Sequence, residues 1–203
     1  MTDVITLHSR LRQETRALHE DLESVVKIDD QISSLQRYAA YLARLWALYA
    51  AAEEALSAID FRPLGFDYGD RRRSELIACD LGTLGIDPST LHCGKSIEAP
   101  LKRTIESGLG CIYVLEGSAL GARAMAPLVE AKLGLTKTHG ATFFWGYGEN
   151  GKPLWRTFLN SINSIDPASA EADKVVESAQ STFLFFRRWL PECREERTTS
   201  VVT

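Results

Sequence analysis

The residues of this chain whose types and spacing could do chemistry are four histidines, four cysteines and a pair of glycines set inside a long apolar stretch. His19 is followed one helical turn later by Glu23, within LRQETRALHEDLE from Leu11 to Glu23. A carboxylate at that spacing can accept the proton of one imidazole nitrogen, which fixes the ring and strengthens the other nitrogen as a metal ligand. Leu11, Leu18 and Leu22 give His19 an apolar neighbourhood. His8, His92 and His139 read as surface or satisfied core residues. Cys79, Cys93, Cys111 and Cys193 form no CxxC pair and no metal-ligand pattern with histidine, so they read as reduced structural thiols of a cytosolic protein. Cys111 is a candidate nucleophile by type, but no sequence feature activates it.

The glycines belong to GCIYVLEGSALGARAMAPLVEAKLG, Gly110 to Gly134, which reads as a helix. Gly117 and Gly121 inside it each cost roughly 1 kcal/mol relative to alanine. Their i, i+4 spacing puts both on one face and leaves a strip without side chains. Either another helix or a flat ligand can approach such a strip closely. One neutral imidazole on one side and bare backbone on the other would suit a haem iron, with its far side open to a gas ligand. A non-haem di-iron bundle would need paired Glu-x-x-His motifs, and none occurs.

The elements that must position these residues are helical. Leu7, Leu11, Leu18, Leu22 and Val25 recur at helical spacing from Ile5 to Val26, with Thr15 and His19 along the edge of the stripe. A polar break from Asp29 to Ser34 offers Ser33 or Ser34 as N-cap for a helix over Leu35–Ile59. Phe61–Gly69 is a loop, Asp70–Leu81 a shorter helix, and Asp87-Pro88-Ser89 a cap before a short turn and a loop at Gly94. Helices are expected over Ile97–Ser107, from about Ser107 to Gly134 with Pro127 bending it, and over Pro153–Ile165. His139–Gly151 reads as loop or short helical turns. Asp166-Pro167 caps a last helix running to Leu190, and the tail CREERTTSVVT has no core-forming pattern. No run alternates as a strand does. The class is all-α, seven or so helices around one core.

Composition narrows the function. The 203 residues suffice for one large domain, and 45% hydrophobic with 25% charged residues is ordinary for a globular chain. A net charge of −4 and a pI near 5.6 argue against a general basic field for nucleic acid. The run Arg71-Arg72-Arg73 reads as a solvated face. No signal peptide and no membrane-spanning run is visible, so no membrane partner is expected.

Three stretches carry a resemblance. Leu11–Glu23 resembles the proximal-helix motif of haem oxygenases, with His19 in the iron-ligand position. YVLEGSALGAR, Tyr113 to Arg123, resembles the distal-helix motif of their bacterial branch, with Gly117 and Gly121 as the two distal glycines. FFWGYGENGKPLWRTFL, Phe143 to Leu159, is similar to that branch's segment opening a later helix. Together they span nearly the whole chain. The resemblance implies one compact multi-helical domain over residues 1–191, with haem sandwiched between a proximal and a distal helix and residues 192–203 as a frayed tail. It implies a cytoplasmic enzyme of the bacteriophytochrome-associated type that opens haem at a meso carbon to biliverdin, iron and carbon monoxide. Haem would be substrate and cofactor, with O2 and electrons from an external ferredoxin or flavin reductase system, and a bacteriophytochrome would accept the biliverdin.

The resemblance also implies residue roles. Arg12, two turns before His19, and Tyr113 match propionate-contacting positions, and Lys152 with Arg156 matches a basic pair on a later helix. Ser118 stands where the animal enzymes carry Asp and bacterial relatives commonly carry Ser, which makes it a weaker catalytic candidate beside Gly117 and Gly121. Phe183 and Phe186 wall the pocket or pack the core. The rivals are a haem-binding or transfer protein of the same fold and another small-molecule enzyme of the wider helical superfamily using Cys111 or Cys79.

Overall fold

A computed structural model describes residues 5–88 and 97–191, and among them are eight α-helices and no strand beyond isolated bridges from Thr136 to His139 and Gly140. The first helix, α1 (Leu7–Val26), opens on a capping box. The Thr6 hydroxyl accepts from the Ser9 N–H, and the Ser9 hydroxyl accepts from the Thr6 N–H. Leu7, Leu11 and Thr15 are its buried face. Lys27 in the left-handed region (φ 44°) ends it, and a single turn, α2 (Ile28–Gln31), follows. Ser34 accepts from the Arg37 N–H and caps α3 (Leu35–Ser57), whose broad aromatic face is core as its pattern predicts.

The expected helix over Asp70–Leu81 is shifted. Tyr68–Arg71 is a 3-10 turn, and α4 occupies Ser74–Thr83. The expected helix over Ile97–Ser107 is corrected too. Residues 97–104 are not helical, because proline at position 100 lacks an N–H and disfavours helical geometry before it. Helix α5 (Ile105–Leu133) starts at the Thr104 cap, continues through Pro127 and ends at left-handed Gly134. The turn expected after Ser89, the loop at Gly94 and the tail from residue 192 lie outside the described residues. A short α6 (Thr142–Trp145) and α7 (Gly151–Ile162) follow. The last helix, α8 (Ala170–Trp189), is capped by Ser169 rather than by Asp166, whose side chain instead accepts from the Ala168 N–H.

Helix α8 packs along α5 and α1. Where α5 crosses α8 the backbones touch. A Cβ at Gly110 would lie 2.3 Å from the Val175 carbonyl oxygen and 2.6 Å from the Ala179 nitrogen, and one at Gly108 would lie 2.4 Å from the Phe61 ring. Close helix packing on a small residue is therefore present in α5, but at Gly110, with Gly108 making room for Phe61, ahead of Gly117 and Gly121.

The arginine run is not a solvated face. Arg71 and Arg73 are each only 1% exposed, and Arg72 alone reaches the surface. Each buried charge has a carboxylate or carbonyl partner, as burial requires. Arg71 lies 3.2 Å from Glu116 of α5 and donates to the Leu154 carbonyl at 3.0 Å. The Arg73 guanidinium donates to the Phe143 carbonyl and lies 4.2 Å over the Phe143 ring. Glu53 of α3 accepts from the Arg73 and Ser74 N–H groups and so caps α4 from another helix. Asp80 of α4 in turn accepts from the Thr142 and Phe143 N–H groups at 2.7 and 2.8 Å, capping α6.

Candidate functional site

A cavity of about 1030 Å³ lies between α1 and α5, with α3, α6, α7 and α8 completing its walls. Small-molecule sites run from roughly 300 to 1,000 Å³, so this one suits a large ligand. From α1 it is lined by Arg12, His19 and Glu23, and from α5 by Tyr113, Gly117, Ser118 and Gly121. Phe143 and Phe144 of α6 and Phe183 and Phe186 of α8 are apolar wall. The tertiary structure thus gathers residues more than 90 positions apart in the chain around one space.

His19 stands on the cavity face of α1 with its side chain 55% exposed, edge-on to Phe183 at 5.9 Å between ring centres. Its Nδ1 is 3.6 Å from a Glu23 carboxylate oxygen, a loose pair that leaves Nε2 as the nitrogen for a metal. Across the cavity, a Cβ added at Gly117 or Gly121 would meet nothing within 4 Å. No helix plugs the strip. Its two glycines present bare backbone to the cavity, which is the cradle a flat macrocycle requires.

Ser118 is tied down. Its hydroxyl donates to the Leu115 carbonyl at 3.0 Å and meets the buried Tyr49 hydroxyl in a short contact. The Tyr49 hydroxyl also faces the Leu115 carbonyl, at 3.5 Å, so either hydroxyl can donate in that contact. Behind it, Glu116 faces away from the cavity to Arg71 and the Tyr147 hydroxyl, which donates at 3.2 Å. Burial pushes the Glu116 carboxyl above its ordinary range, and Arg71 pulls it back only in part.

Burial raises the Tyr113 phenol, opposed by Thr15 and the Arg12 charge. Arg10 and Arg16 on the same helix are paired, with Glu14 and Asp173 and with Glu20. Arg12 has no carboxylate partner among the described residues. Lys152 and Arg156 are exposed on α7 and lie outside the cavity's lining, whereas Trp155 between them is part of it. His8, which reads from sequence as a surface or core residue, also lines the cavity. Its position about three turns before His19 on one helix face was the only available signal.

Other chemistries find no support in the residues. Among the described residues no three His, Cys, Asp or Glu side chains converge on one point, so a single histidine needs a ligand that brings its own donors. Burial pushes the Cys111 thiol up to about 12, which leaves no thiolate for nucleophilic attack, and Cys79 lies outside the lining. Among the described residues no helix is long and apolar enough to cross a membrane.

A chain whose described residues are helical, and which offers the His19 imidazole and two bare glycines of α5 to a wide apolar cavity, has the build of a macrocycle-binding protein. The family described as Heme oxygenase matches residues 5–192, and the chain belongs to that family as an enzyme, a haem-degrading oxygenase. Among solved structures it is similar to the NO- and CO-bound haem oxygenase of Neisseria meningitidis, with a TM-score of 0.77 at 20% identity over 92% of this chain and 91% of that one. It is also similar to haem oxygenase 2 of Chlamydomonas reinhardtii solved without haem, with a TM-score of 0.71 at 16% identity over 92% and 96% of the two chains. No curated protein matches it in sequence.

Proposed function

We propose that one haem lies flat between α1 and α5 and is opened at a meso carbon to biliverdin, iron and carbon monoxide. The observation that carries this reading is the approach of the half-exposed His19 imidazole and the bare backbone of Gly117 and Gly121 to one cavity. When bound, haem supplies the iron at which oxygen is activated, with O2 and electrons drawn from outside the chain. His19 would hold that iron through Nε2, with Glu23 as acceptor for the Nδ1–H that orients the ring. His19 would give that iron a neutral imidazole, a weaker electron donor than a thiolate. Gly117 and Gly121 let α5 lie against the macrocycle, where its backbone restricts the direction in which a distal ligand can lean.

Arg12 and Tyr113 receive the propionates at the mouth through charge-assisted hydrogen bonds. Lys152 and Arg156, on either side of Trp155 in α7, add positive charge nearby. Ser118 contributes as part of the network anchored by Tyr49 rather than as a free acid. The electron source is a ferredoxin or flavin-linked reductase, and a bacteriophytochrome is the product's acceptor in the cytoplasm.

The test is a hemin titration of purified protein. A Soret band that is lost in His19→Ala and partly restored by imidazole is the expected result, followed by a bilin spectrum on adding ascorbate. A Soret band without bilin makes the protein a passive haem carrier. Binding that ignores His19→Ala overturns His19 as the iron ligand, and the absence of specific hemin binding overturns both readings.

A further inference from the structure

His8 lines the cavity from the first turn of α1, on the same helix face as Arg12 and His19. Three elements set its place. Its N–H donates to the Asn163 side-chain oxygen at the end of α7 at 3.1 Å. Its ring meets Trp155 of α7 edge-on at 5.7 Å and Tyr113 of α5 at 6.3 Å. Partial burial, with the Arg12 charge beside it, holds the imidazole below its ordinary pKa. His8, the Tyr113 phenol and Arg12, which has no carboxylate partner among the described residues, therefore gather two nitrogen donors and a hydroxyl on one part of an apolar cavity's lining. What such a group lacks is an anion.

We propose that His8 is a specificity residue of the substrate's carboxylate end, giving an imidazole N–H to one propionate alongside Arg12 and Tyr113. The inference rests on the haem reading above and names a residue that the family motifs leave out. A carboxylate beside the ring favours its protonated form, whereas the free site disfavours it. Substrate binding therefore takes up a proton. Affinity rises as pH falls through the bound ring's pKa and levels off below that of the free ring. The groups facing His8 do not blur this window. On α1 the neighbour is the Arg12 guanidinium, on α5 burial raises the Tyr113 phenol out of the window, and α7 presents Trp155 and Asn163, which do not titrate.

The experiment is a Soret titration of the full chain with hemin and with hemin dimethyl ester, at about pH 6 and about pH 8. His19 serves both ligands, so its part in binding drops out of the comparison. The wild type should bind hemin more tightly at the lower pH, with a smaller or no pH effect for the diester. His8→Phe should weaken hemin on the order of tenfold at the lower pH and leave the diester within about twofold. His8→Gln, which donates without titrating, should keep part of the affinity and lose the pH difference. Equal weakening of both ligands, or an unchanged hemin affinity in His8→Phe, makes His8 a packing residue against Trp155 and overturns the inference. If the wild type binds neither ligand, the haem reading itself fails, and that outcome is distinct from a missing His8 effect.

Discussion

Gly117 and Gly121 each carry a helix penalty of roughly 1 kcal/mol, and neither has a neighbour whose close packing would require glycine. Gly108 and Gly110 on the same helix do have such neighbours. The two pairs should therefore respond oppositely to alanine. Gly117→Ala and Gly121→Ala should each raise the stability of the ligand-free protein by up to about 1 kcal/mol in urea melts, while weakening hemin binding in the Soret titration. Gly110→Ala should lower stability by about 1–3 kcal/mol or more, because the Val175 carbonyl oxygen and Ala179 nitrogen cannot move without parting α8 from α5. A loss of stability in Gly121→Ala would mean that the strip is a packing surface after all. Glu116 is the other residue with an opposed pair of effects. Glu116→Ala should cost about 3–5 kcal/mol by leaving the buried Arg71 charge unpaired, a loss read in the same melts.

Helices α3, α4 and α6 are linked by buried carboxylates at one another's N-termini, Glu53 onto α4 and Asp80 onto α6. Neither α4 nor α6 has a side-chain cap of its own, so the start of each depends on a residue from another helix. This chain of caps ends at Phe143 and Phe144, which wall the cavity. Asp80→Asn keeps the shape but can serve both N–H groups less well, and should cost about 1–2 kcal/mol. Burial, the largest influence on the Asp80 carboxyl, raises its folded-state pKa above the unfolded value. The folded state then binds the extra proton, so Asp80's contribution is fully present below the unfolded pKa and is lost as pH rises through the folded one. The wild type's margin over Asp80→Asn should accordingly be largest in acid and shrink toward neutrality. Urea melts of both proteins across that range measure it, and a margin that grows with pH would refute the assignment.

For the molecule as a whole, the cavity separates α1 from α5 along much of their length, and α1 is held mainly by its contact with α8. A ligand that spans the gap ties the three helices together. At a free hemin concentration of about 100 times Kd, mass action adds about 2.7 kcal/mol, equivalent to a rise in Tm of roughly 5–11 °C for a chain of this size. Calorimetry with and without hemin should show that rise in the wild type and a much smaller one in His19→Ala.

The sequence by itself determined the helical class, the positions of α1, α3, α5 and α8 to within a few residues, and the placing of Gly117 and Gly121 on one helix face. Those features are local, since helical periodicity, caps and i, i+4 spacings are written in neighbouring residues. Only the tertiary structure decided which glycines face packing and which face open space, because that depends on where α8 crosses α5. It also decided that Arg71 and Arg73 are buried, since the carboxylate and carbonyl that satisfy them, on Glu116 and Phe143, lie far along the chain. His8 joined the site, and Lys152 and Arg156 stayed outside its lining, for the same physical reason. A side chain's surroundings are set by whichever distant helix packs against it, and no local pattern records that partner.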